Sequence, residues 1–79
     1  MKSAFELYNE LMGAAQAVGI STIELFGEAG IAPSQATRWS QKVHEPRLSK
    51  LVALKDAAQR IAARKGVALG EMPTLDSLL

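Results

Sequence analysis

Between Pro33 and Lys50 the chain gathers side chains of one chemical kind. Ser34, Gln35, Thr37 and Arg38 fall close together, Gln41 and Lys42 follow one turn on, and Arg47 and Lys50 lie beyond a short stretch containing proline. None of them is a nucleophile beside a base, and no carboxylate pair accompanies them. What they share is the ability to bond flat polar edges and anions. Gln presents a donor and an acceptor side by side and can pair with adenine, while the Arg fork can pair with guanine. Ser and Thr bond bases or phosphates, and Lys neutralises a phosphate as a point charge. The chemistry implied is recognition rather than turnover.

Such side chains act together only if an element fixes their spacing and buries its opposite face. Residues 3–18 suit a helix, since Phe5, Tyr8, Leu11 with Met12, Ala15 and Val18 recur at three- and four-residue intervals. Gly19 stops it. Ser21 to Glu24, "STIE", is a capping box: the hydroxyl accepts from the amide three residues on, and the Glu reaches back. A helix from about Thr22 to Ala29 follows and ends at Gly30. Pro33 suits the first turn of the next helix, which runs to about Val43. "VHEP" is a loop, and Pro46 or Ser49 opens the longest helix, closed near Lys65 by Gly66. The pattern predicts an all-α chain of four to five helices and a single domain over 1–79, with no repeat and no β-alternation.

Composition narrows the class. The chain has 79 residues, no Cys and one His, which excludes disulfides and argues against a structural zinc site. A core this small is thin, so self-association is the expected support. No run approaches the roughly 20 apolar residues that span a bilayer. Acids interrupt "MKSAFELYNELM" where a signal peptide needs an apolar block, so a cytoplasmic protein without membrane attachment is expected. The net charge of +1 is unevenly laid out. Residues 1–37 sum to −3, residues 38–65 to +6 and residues 66–79 to −2. A segregated basic zone is the footprint of a polyanion-binding surface.

Two short helices joined by a glycine turn form a helix-turn-helix when their facing residues are apolar. Leu25, Ala29, Ile31, Ala36 and Trp39 supply those positions over about 22–42. Phe26 stands where a small residue is usual, and Ala36 where a larger one is. The exchange conserves volume and reads as a compensated crossing. With the apolar set turned inward, Ser34, Gln35, Thr37, Arg38, Gln41 and Lys42 form the outer surface, and Arg47 and Lys50 flank it. Double-stranded DNA is the expected partner, entered through its major groove.

The run "EAGIAPSQATRW" followed by "EPRLSKLVAL" resembles the DNA-binding region of the CII transcriptional activators of lambda-type phages. The shared features are the glycine turn, the Ser-Gln pair, the Arg-Trp pair, and a Pro and a Ser before a Leu-rich helix. The resemblance covers residues 22–54. It implies a lambda-repressor-like domain that binds repeated half-sites as a homodimer or higher homo-oligomer to regulate transcription, with RNA polymerase as a further partner. By that analogy Ser34, Gln35, Thr37 and Arg38 face the DNA. Pro33 replaces a polar or basic residue of that family, and an acidic amphipathic helix replaces its basic N-terminal segment. A Cro-type repressor therefore stands beside the activator. A helical protein-interaction module or antitoxin with a degenerate motif is the competing class.

The remaining conspicuous residues have plainer expected roles. Trp39, turned inward, belongs to the core rather than to a base stack. His44 is a solvated loop residue. Lys55, Arg60, Arg64 and Lys65 form a solvated face. Leu48, Leu51, Val52, Leu54, Ala58, Ile61 and Ala62, with the apolar residues of 67–79, exceed one stripe and suggest an oligomerisation segment over 46–79. No enzyme, cofactor or metal is expected.

Overall fold

The structure is a computed structural model and describes residues 3–70. Four helices account for its regular structure: α1 (Ala4–Ala17), α2 (Thr22–Ala29), α3 (Ser34–Ser40) and α4 (Leu48–Lys65), with no strand among the described residues. The starts of α1 and α2 have a local cause. Ser3 caps α1, its hydroxyl accepting from the Glu6 amide at 3.2 Å, and Ser21 caps α2 by accepting from the Glu24 amide at 3.1 Å. These side chains satisfy donors that a helix start otherwise leaves without partners. The second half of the expected capping box is absent, because the Glu24 carboxylate is drawn away to Lys65.

All four helices end in the same way. The residue after the cap region turns left-handed, and two amides fold back onto the last carbonyls. At α2, Gly30 (φ 72°) donates to Gly27 and Ile31 donates to Phe26. Gly19 and Gly66 serve α1 and α4. At α3 the same position is held by Lys42, at φ 59°, with its amide donating to Trp39 and that of Val43 to Arg38.

The helix expected to run to about Val43 therefore closes at Ser40. The long helix begins at Leu48 with Arg47 at its cap, rather than at Pro46 or Ser49.

The core is built where α4 packs against α2 and α1. Leu7, Leu11, Ile20, Leu25, Phe26, Leu51, Leu54 and Ile61 are its enclosed large side chains. Burying a side chain of this kind contributes about 1.5–3 kcal/mol. On α1 the inward stripe is Ala4, Leu7, Tyr8, Leu11, Met12 and Ala15. Phe5 and Val18, expected inside, are only half-buried. On α4 the wide apolar set is explained by its position, since a helix covered by two neighbours needs more than one stripe. Val52 is the large apolar side chain of α4 that remains exposed, so α4 offers little for a second copy. Leu69 packs on the core and Val67 stays exposed. The expected contribution of residues 71–79 to assembly lies outside the described residues.

Candidate nucleic-acid interface

The α3 helix is short, and one residue anchors it. Pro33 already has helical angles (φ −58°, ψ −25°), and the Gln35 and Ala36 amides bond back to Ala32 and Pro33, so the helix starts with a tight turn. Trp39 is the fully buried residue of this segment, 4% exposed. Its ring meets Tyr8 edge-on at 5.3 Å and Phe26 at 5.7 Å. Those centroid separations fall in the favourable range for aromatic pairs. Trp39 is thus a core residue. Phe26 is fully enclosed, while Ala36 lies half-buried against the same cluster.

With Trp39 pinned inward and Ala36 half-buried beside it, most of the polar residues of α3 face solvent. Ser34, Thr37 and Arg38 are exposed and Gln35 is half-buried. Gln41 and Lys42 are exposed too, but they sit in the turn that ends α3 rather than on its helical surface. Arg47, Lys50 and His44 are exposed. Thr37 and Gln41 also border a groove shared with α1 and the start of α2, a relation that no local pattern signals.

Electrostatics sort the basic zone into two parts. Arg60 and Arg64 of α4 both reach the Glu28 carboxylate of α2; Arg60 does so at 3.5 Å and also donates to the Glu28 carbonyl oxygen at 3.3 Å. Lys65 reaches Glu24 at 3.0 Å. These three cations are exposed, as the expected solvated face requires, and they also fasten the α2–α4 seam. Arg38, Lys42, Arg47 and Lys50 have no carboxylate within ion-pair distance among the described residues.

Within the seam, the hydrogen bond from Arg64, helped by the charges of Arg64 and Arg60, outweighs desolvation and holds the Glu28 carboxyl below its ordinary 4.5. A depressed folded-state value stabilises the fold above the unfolded-state value, and that stabilisation is lost as pH falls through the folded-state value. Glu28→Gln is therefore expected to lower Tm at neutral pH, with the gap closing as the buffer is taken below 4.5. A gap unchanged across that range in thermal melts would contradict this assignment.

Lys42 is the positive-φ residue other than glycine among the described residues. The left-handed conformation costs an L-residue about 1–2 kcal/mol. Replacing it with glycine removes that cost, less about 0.5–1 kcal/mol for the freer unfolded chain. Lys42→Gly is expected to raise Tm by a few degrees, and a lower Tm would mean that the lysine side chain stabilises the turn.

Among the described residues no group of three or more His, Cys, Asp or Glu could hold a metal ion, and no helix is long and apolar enough to cross a membrane. No family model, no curated protein and no solved structure matches this chain, so its assignment rests on the chemistry of this surface.

Proposed function

We propose that the chain is a sequence-specific reader of double-stranded DNA, a transcription regulator of phage or prophage type built on a lambda-repressor-like helix-turn-helix. One observation carries this reading. The exposed polar side chains of α3 run on into four cations, Arg38, Lys42, Arg47 and Lys50, that make no ion pair among the described residues. In that arrangement α3 enters the major groove. Gln35 and Arg38 address base edges, Ser34 and Thr37 bond bases or phosphates, and Lys42, Arg47 and Lys50 neutralise the flanking strands. The reading includes no catalytic step and no cofactor. It keeps the resemblance to CII-type activators as its nearest analogy, with a Cro-type repressor as the other role for the same surface. It also keeps a homo-oligomer that binds repeated half-sites, an arrangement consistent with a domain this small.

A second reading, a module that grips another protein, is favoured by Ile23, which stands 73% exposed on α2. Titration of a duplex at several salt concentrations separates the two. Each phosphate neutralised by a cation steepens the dependence of log K on log salt by about 0.9, so four contacts give a slope near −3 to −4. A flat dependence, or no binding to any duplex selected from a random pool, would favour the protein-binding module.

A further inference from the structure

Beside α3 lies a groove of about 490 Å³ whose walls come from three helices. Asn9 and Gln16 of α1, Thr22 of α2, Thr37 of α3 and Gln41 in the turn after it line the groove. Tyr8 and Met12 contribute to the floor. Among the described residues no charged side chain lines it; Glu6 and Glu10, the acids of α1, are not among its lining residues. Burial pushes the Tyr8 phenol above its ordinary value, with the Ser40 side chain working against that shift, so the floor stays neutral at physiological pH. The walls thus offer amide and hydroxyl donors with no anion to repel a ligand, and they are continuous with the exposed surface of α3 through Thr37 and Gln41.

We propose that this groove seats the sugar-phosphate backbone of one DNA strand bordering the major groove, held by the uncharged donors Asn9, Gln16 and Thr22. The inference rests on the DNA-reading function proposed above and adds α1 to the interface. Phosphate oxygens accept from Asn, Gln, Ser, Thr and Tyr side chains as well as from cations, and such contacts fix register without reading sequence. The strand that walls the major groove passes beside any helix placed in it. The arrangement also lets an acidic helix border a polyanion, because its amides line the groove while its carboxylates do not.

Gly13 makes the test clean. It lines the groove, and a Cβ added there meets nothing within 4 Å, so a side chain at this position starts into open space, and it favours the helix. Affinity is measured by anisotropy on a duplex selected from a random pool and on an unrelated duplex of equal length. Gly13→Glu is expected to weaken both by roughly tenfold. Gly13→Lys is expected to strengthen both several-fold and to steepen the salt slope by about one.

Asn9→Ala and Gln16→Ala should weaken both duplexes several-fold with the slope unchanged, because a neutral donor releases no counterion. Gln59→Glu and Gln59→Lys make the same charge changes at an exposed position of α4 outside the groove lining and should stay within about twofold of the parent chain. If the parent chain binds DNA and the Gly13 variants behave like the Gln59 variants, the groove proposal is wrong while the DNA reading stands. If the parent chain binds neither duplex, both are wrong.

Discussion

Trp39→Ala is expected to cost about 3–5 kcal/mol, the range for emptying a large aromatic site in a packed interior. At roughly 0.05–0.15 kcal/mol per residue, a domain of this size has about 4–12 kcal/mol in total. The substitution would therefore remove much of the stability, or all of it. The reason lies in the distribution of contacts. The α3 helix has a single fully buried side chain, and that side chain ties it to Tyr8 of α1 and Phe26 of α2 at once. Trp39→Phe keeps an aromatic ring between those partners and should fall between the two.

Urea unfolding followed by far-UV circular dichroism gives the measurement, since the variant has lost the chain's only indole. Amide exchange adds a finer test. If Trp39 is the anchor, protection over residues 34–40 should fall further than protection in α4. A loss below about 1 kcal/mol would mean that α3 is held by contacts other than this one.

Arg38→Ala has the second large expected effect, and it falls on discrimination rather than on folding. Arg38 is exposed and makes no ion pair among the described residues, so its removal should leave Tm nearly unchanged. In the proposed complex its fork bonds one base, and losing a bidentate contact reduces discrimination at that base pair by about 1–3 kcal/mol. Preference at the other positions should persist. Lys50→Ala is the contrast: it should weaken all sequences alike and make the salt slope shallower by about one. Selection from a random pool, run in parallel for the parent chain and both variants, reads the two effects separately. Retention of the full base preference by Arg38→Ala would remove Arg38 from the base-reading set.

The parts of this fold that were legible from sequence are those with a local cause. The bounds of α2 follow from a serine that can cap and a glycine that can turn left-handed, and both act where they stand. The end of α3 was not legible, because a lysine takes the conformation that a glycine would have announced. The start of α4 was hidden for a related reason: Pro46 and Ser49 carry the usual signals, while Arg47 holds the cap without a side-chain bond.

Long-range pairing was the larger gap. Glu24 looked committed to its own helix start, yet Lys65, far along the chain, takes its carboxylate. The segregation of cations was visible in one dimension. Which of them would meet Glu24 and Glu28, and which would stay unpaired, depends on the α2–α4 packing. The same holds for Asn9 and Gln16, which read only as the polar side of an amphipathic helix until α1 is set beside α3.

In the proposed DNA-reading function, the seam between α2 and α4 has a consequence for the approach to a polyanion in solution. By pairing Arg60, Arg64 and Lys65 with two carboxylates, it offsets two of their three charges and shifts the attractive field toward residues 38–50. A uniformly basic particle would be captured in any orientation, and most collisions would be wasted. A one-ended particle feels a torque during approach and arrives with the same side forward each time.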